Sequence, residues 1–250
     1  MVATSILGVV GAVITWIGIV LGVVIAAFVV GCIAVPPLTR SFTDRWGATD
    51  DEVRATMTGD ELVPNAHSTS TRAITIDAPA ETVFSLVTQM GYKRAGWAGW
   101  DWFYNLTGSS DFVDGHYSRR IVPELQDLKV GDTIAINAMV EYDVVKIERP
   151  FELLLAVSRN ADRDRLAYGD PAAVNSQTWL WRVQPIDEGT SRLILRQRSG
   201  DVFESGFLTW LFDKPLDFGG SLFAHKTLVG VKRIAEDLGS AGHAQGLASN

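Results

Sequence analysis

For its first 39 residues the chain carries no charge. The apolar run from Ile6 to Val35 makes a helix of about 45 Å at ~1.5 Å per residue, against a hydrocarbon core of about 30 Å. One tilted span fits, and two do not. The run is hydrophobic on every side and longer than a usual core helix, which makes a buried core helix the weaker reading. Pro36-Pro37 is expected to end it. No basic residue precedes the run, and it exceeds the apolar region of a signal peptide, so cleavage is not expected. Val29-Val30-Gly31-Cys32 has the form of a lipoprotein box but lacks the basic start. Gly18-x-x-x-Gly22 is a small-residue face of the kind that packs helices. Arg40 and Arg45 follow the run, so the positive-inside rule puts the rest of the chain in the cytoplasm. The expectation is a single-pass anchor over residues 1–38 in the cell membrane, touching lipid through residues 6–35.

The stretch Thr71–Gly91 opens the folded part. Arg72–Ile76 alternates, with Ile74 and Ile76 on one face, and reads as a short half-buried strand. Asp77-Ala78-Pro79 stops it, with Pro79 suited to the first position of a helix. Val83, Phe84, Val87 and Met90 recur at helical spacing, and Gly91 is placed to end the helix. Upstream, Thr49-Asp50-Asp51-Glu52 has capping-box spacing and predicts a short helix through Met57. Gly59–Ser70 reads as a polar connector.

Further on, aromatic residues crowd Gly91–Gly108, and a second short helix is expected from about Gly99 to Leu106. Strand patterns then follow at Thr133–Ile136, Met139–Glu148, Glu152–Ser158, Ser176–Gln184 and Ser191–Ser199. Leu153, Leu155 and Val157 share a face, as do Trp179, Trp181 and Val183, and Leu193, Leu195 and Gln197. Arg192, Arg196 and Arg198 fall on the opposite side, which is expected to be the outer one. The strand Met139–Glu148 leaves its parity open. Over Asp217–Leu238, one helical stripe carries Phe223, Thr227, Gly230, Val231, Ile234 and Leu238, and the other side carries His225, Lys226, Lys232, Arg233, Glu236 and Asp237. Gly239 is expected to end this helix.

The strand, D-A-P turn and three-turn helix resemble the opening of the START-like domains, the SRPBCC superfamily, which also holds polyketide cyclases and pollen-allergen-like proteins. RWGATDDEV at Arg45–Val53, GDELVP at Gly59–Pro64, WDWFYN at Trp100–Asn105, RIVPELQDLKVGD at Arg120–Asp132 and GVKRIAED at Gly230–Asp237 look like one bacterial branch of it. The resemblance covers Arg45 to Leu238. It implies an α+β helix-grip fold: a curved antiparallel sheet around a long C-terminal helix, here with one N-terminal transmembrane helix. The implied layout is an anchor at 1–38, a linker with a short helix at 39–70, the START-like domain at 71–239 and a disordered tail at 240–250. A superfamily with many functions does not by itself name one.

Among functions, a net charge of −7 argues against nucleic acid, whose phosphates need a basic face. The single cysteine, Cys32, excludes an intrachain disulfide and a cysteine metal site. His67, His116, His225 and His243 show no ligand spacing, so no metal is expected. No phosphate loop, nucleophile elbow or H-E-x-x-H occurs, and no cofactor is expected. Asp101, between Trp100 and Trp102, is a candidate general acid or base, set against the plainer reading of an acidic helix cap. His116 reads as a loop residue and His225 as solvent-facing; Glu141 and Tyr142 share the unsettled parity of their strand. The expected binding residues are Trp97, Trp100, Leu153, Leu155, Trp179, Trp181, Leu193, Leu195, Phe223 and Thr227, around a cavity under the long helix. Phe207–Phe212, FLTWLF, is read in two ways: as a gate that opens that cavity toward the bilayer, or as one more piece of core. Three functions compete: membrane-anchored binding or transport of a hydrophobic small molecule or lipid; a polyketide cyclase- or aromatase-like enzyme; and an accessory subunit docked on a membrane-protein partner.

Overall fold

A computed structural model describes residues 2–106, 111–138, 140–200 and 207–248, without the side chains of 2–10, 28–29, 32–41, 103, 207–218 and 241–248. The chain divides into two compact units, Met1–Arg40 with Glu204–Gly219, and Ser41–Phe203 with Gly220–Asn250.

In the first unit the described backbone is helical. Helix α1 spans Val2–Arg45 and so continues through Pro36-Pro37, which had been expected to stop it. Proline's fixed φ near −65° matches a helix; the cost is two missing N–H donors and a steric clash, which this backbone absorbs. Among the described residues no helix is long and apolar enough to cross a membrane. The transmembrane expectation therefore gains no support from the structure. Within α1 the side chains of residues 11–27 are all exposed. Helix α5 spans Phe207–Ala248. The proposed gate Phe207–Phe212 is helical backbone whose side chains lie outside the described residues. Asp213-Lys214-Pro215 and Gly239 do not break the helix, and the tail after Gly239 continues it to Ala248. A glycine inside a helix costs only about 1 kcal/mol relative to alanine, too little to end one where alanines follow.

The second unit is built on six strands: β1 Ser68–Ile76, β2 Thr133–Ala135, β3 Glu141–Glu148, β4 Glu152–Arg159, β5 Asn175–Pro185 and β6 Ser191–Ser199. Their order is β1-β6-β5-β4-β3-β2, and every neighbouring pair is antiparallel. Strand β1 begins four residues before its expected start, inside the presumed connector. A bulge after Val144 bends β3. It also settles the parity there, since Val144 pairs with Leu155 and shares its face. Tyr142 thus points inward and is buried, while Glu141 is exposed.

Two helices cover the inner face. Helix α3, Ala80–Gln89, starts one residue later than expected, with Pro79 as its cap, and packs on β5 and β6. From Ala224 on, α5 buries Ala224, Leu228, Val231, Ile234 and Ala235 in one core with Ile76, Phe84, Leu153, Leu155, Trp181, Leu193 and Leu195. A six-stranded antiparallel sheet with a C-terminal helix laid on it fits the helix-grip architecture. Gly230 is needed where α5 meets the loop before α4 (Asp101–Leu106): a Cβ there would lie 2.6 Å from the Ala98 Cβ and 2.9 Å from its carbonyl carbon.

The outer face is covered by the segment read as a linker. Helix α2 is Asp50–Arg54, shorter than the expected reach to Met57, with the Thr49–Glu52 capping box formed. Met57 is buried against Ala73, Leu154, Leu180 and Ile194. The outward arginines are clamps: Arg192 donates to both carboxylate oxygens of Glu52 at 2.8 and 2.9 Å, and Arg196 to both of Asp60 at 2.8 and 2.9 Å. Glu152 collects Thr58, Lys146 and Arg182.

Two stability predictions follow from the two faces. Leu195 is 1% exposed, so Leu195→Ala should cost roughly 2–5 kcal/mol in urea unfolding. On the outer face, hydrogen bonds from Arg192 hold the Glu52 carboxyl below its ordinary 4.5, against burial. Burial pushes Glu152 up, but Lys146, Arg182 and Thr58 outweigh it and leave it below 4.5. A carboxyl with a depressed folded pKa adds stability that is present above its unfolded value and lost as pH falls through the folded one. The urea midpoint should therefore drop as pH is lowered from about 5 to about 3, and Glu52→Gln should flatten that slope.

Candidate functional site

The register lines the inner face up in rows across the sheet. Ile74, Leu193 and Val183 form one row, and Arg72, Leu195, Trp181 and Leu153 the next. Then come Ser70, Gln197, Trp179, Leu155 and Val144, and finally Ser68, Ser199, Gln177 and Val157. The face changes character along the strands. In the first two rows Leu193, Leu195, Trp181, Val183 and Leu153 are each at most 1% exposed. In the last two, Gln197, Trp179, Gln177, Ser199 and Ser68 are only half-buried. Water therefore reaches the β5 and β6 side chains of the last two rows, whereas Ser70, Leu155, Val144 and Val157 in those rows are buried and Ile74, at the edge of the first row, is half-buried.

Aromatic rings stand over the open end. The Trp97 ring meets Trp179 at 6.2 Å and Phe223 at 5.4 Å, both edge-on. Trp100 stacks on Phe223 at 5.5 Å. Trp179 lies 5.1 Å from Tyr142. The Trp97 and Trp100 indole N–H groups donate to the Ile136 and Phe223 carbonyls, which fixes both rings. Trp100, Trp179, Phe223 and Ile136 are half-buried and packed against the core. These half-buried rings and the amides of Gln177 and Gln197, next to the buried Leu153, Leu195 and Trp181, are the candidate mouth of a site over an apolar floor.

The ten residues expected to bind a ligand thus separate by exposure. Trp97, Leu153, Leu155, Trp181, Leu193, Leu195 and Thr227 are fully buried, and the Thr227 hydroxyl donates to the Phe223 carbonyl at 2.8 Å. Trp100, Trp179 and Phe223 stand at the mouth. Asp101 does not join them. It is the first residue of α4, and its Oδ1 accepts the Tyr117 backbone N–H at 2.6 Å, tying α4 to the loop at 111–118. The Tyr117 phenol beside it is buried, unpaired among the described residues, and pushed up by burial and then by Asp101. His116 is exposed. His225, expected in solvent, is half-buried edge-on to Trp46 at 4.1 Å, and burial, then Arg72 and Lys226, lower its pKa. Among the described residues no group of three His, Cys, Asp or Glu side chains could hold a metal.

Sequence reading missed Arg72. It sits on the inner face with its side chain 3% exposed. Its Nε donates to the Thr43 carbonyl at 2.5 Å, Nη1 to Ser70 Oγ and Gln197 Oε1 at 2.7 and 2.8 Å, and Nη2 to Ser221 Oγ at 2.9 Å. Asp44 is 4.0 Å away. Burial, partly offset by Asp44, lowers its pKa to about 10, so it stays charged at neutral pH. The available signal was parity: Arg72 is two residues from Ile74 and four from Ile76.

No protein-family model and no curated protein matches the chain. Solved structures do. A protein from Mesorhizobium loti is 16% identical, covering 68% of this chain and 98% of its own, at a TM-score of 0.37. An HSP90 activator from Plasmodium falciparum is 13% identical over 64% and 94%, at 0.37. A polyketide-cyclase-like protein from Corynebacterium glutamicum is 17% identical over 67% and 91%, at 0.32. At such identities and scores a likeness assigns no function.

The split between floor and mouth has a direct check. Trp181→Ala should cost roughly 3–5 kcal/mol of unfolding free energy. Trp179→Ala, on the same strand and face, should cost about half of that or less, because part of its ring is already in water. Urea titration of both variants measures the difference.

Proposed function

We propose that this chain binds a hydrophobic small molecule or lipid in the mouth of the grip, while its N-terminal run tethers it to a membrane. The observation that carries the binding reading is the half-buried set of Trp179, Trp100 and Phe223. Large inward-facing rings that water still reaches, above a closed apolar floor, are the wall of a binding site rather than a finished core. A ligand there covers apolar surface worth about 25 cal/mol per Å². Tethering is supported by the 39 uncharged residues at the start. The exposure of Ile14 (64%), Trp16 (67%) and Val23 (63%) on α1 adds to it, since such surface is unfavourable in water. Arg40 and Arg45 then favour a cytoplasmic domain on a single span.

The full chain, purified natively from membranes, should carry a hydrophobic molecule detectable by mass spectrometry. Changing Trp100 and Trp179 together to Ala should remove that molecule while leaving most of the secondary structure. Retention of the molecule by the double variant would overturn the site. Extraction of the chain by carbonate would overturn the tether. Substrate turnover abolished by Asp101→Asn would favour the cyclase-like enzyme instead, and a stoichiometric membrane protein carried through detergent purification would favour the accessory subunit.

A further inference from the structure

We propose that Gln197 reads an acceptor oxygen, carbonyl or carboxylate, at the end of the ligand that reaches the mouth, and that Arg72 positions Gln197 to do so. The inference rests on the binding reading above and names the ligand's polar chemistry. Gln197 lies in the same row as Trp179 and Ser70, one row beyond the closed floor. Its side-chain oxygen accepts from Arg72 Nη1 at 2.8 Å. A guanidinium has donors only, so the amide cannot turn its nitrogen toward Arg72. The NH2 group is therefore held away from the arginine. It has no partner among the described residues, and Gln197 is half-buried, so these two donors are presented where water reaches the inner face beside Trp179.

The surroundings favour an acceptor. Arg72 is buried and charged, and four of its five N–H groups already meet neutral oxygens. Donating to the Gln197 oxygen polarises the amide and strengthens its N–H groups. The other inward side chains at this end of the face are Ser68, Ser70, Ser199, Gln177, Trp179 and Tyr142 with the aliphatic residues of β3 and β4. No carboxylate stands in those rows. Asp44, at 4.0 Å from Arg72, is the carboxylate paired with that cation. An oxygen acceptor fits this field, and a ligand cation or a wholly apolar end leaves the amide donors unpaired.

Three naphthalenes of similar shape separate the possibilities: 2-acetonaphthone with a neutral carbonyl, 2-naphthoate with a carboxylate, and 2-isopropylnaphthalene with no acceptor. Dissociation constants are measured by equilibrium dialysis on the full chain in detergent, against detergent alone. The wild type should bind at least one oxygen-bearing probe about ten-fold more tightly than 2-isopropylnaphthalene. A preference for acetonaphthone or for naphthoate identifies the acceptor as neutral or charged. Gln197→Leu should bring the ratio to about one. Gln197→Glu keeps the contact with Arg72 but offers no donor, and should also lose the preference with an unchanged melting temperature. Wild-type selectivity in both variants would overturn the role of Gln197 while leaving the site in place. Failure of all three probes to bind the wild type above the detergent blank would overturn the site itself, and the inference with it.

Discussion

A six-stranded antiparallel sheet has two faces, and this chain must cover both. Side chains alternate along each strand, so Leu153, Trp181 and Leu195 fall on one side and Leu154, Leu180 and Ile194 on the other. The inner side is met by α3 and the Ala224–Leu238 part of α5. The outer side is met by residues 48–64, whose buried Met57 is flanked by Glu52 and Asp60 bound to Arg192 and Arg196. Isolated ion pairs on a surface contribute little, but these carboxylates are bidentate, partly desolvated and backed by an apolar patch. The segment read from sequence as a tether between anchor and domain is the second layer of the fold.

Much of the architecture was legible because the determinants are local. Strand alternation from Glu152 to Ser199 gave the faces of β4, β5 and β6, including the outward arginines, and helical spacing gave the buried stripe of α5 through Thr227, Val231 and Ile234. The capping box at Thr49 announced α2 through four residues. The helix ends of α1 and α5 were not legible. Proline and glycine weigh against a helix by a few kcal/mol or less, and the residues around them decide the outcome. Nor was the covering of the outer face, since the partnership of Asp60 with Arg196 spans 136 residues and no local pattern encodes it.

For the candidate site, the faces of its strands were legible and the rows across them were not. Alternation placed Trp179 and Trp181 on one face, and nothing in the sequence distinguishes them. The structure does: Trp181 is fully buried and Trp179 is half-buried. What separates them is their row, and rows are set by registers between strands far apart in the chain. Asp101 drew notice because three tryptophans share its stretch. Its carboxylate instead accepts a backbone N–H from Tyr117, a partner fixed only once the loop at 111–118 folds back.

Arg72 joins the fold to the site. Taking a guanidinium out of water costs several kcal/mol, and a partner at 4.0 Å does not offset that alone. The balance comes from four neutral acceptors drawn from separate elements: Thr43 at the end of α1, Ser70 on β1, Gln197 on β6 and Ser221 on α5. A cation satisfied this way holds the edge of the sheet, the grip helix and the approach to β1 in one arrangement, since loosening any of them strands a buried charge. The same arrangement fixes the Gln197 amide with its donors outward. A hydrophobic residue in place of Arg72 could fill the space, but it would leave that amide free to turn. The buried charge therefore gives this end of the inner face a polarity that its apolar floor lacks, and under the proposed binding reading it is what would set the direction of a ligand lying across both.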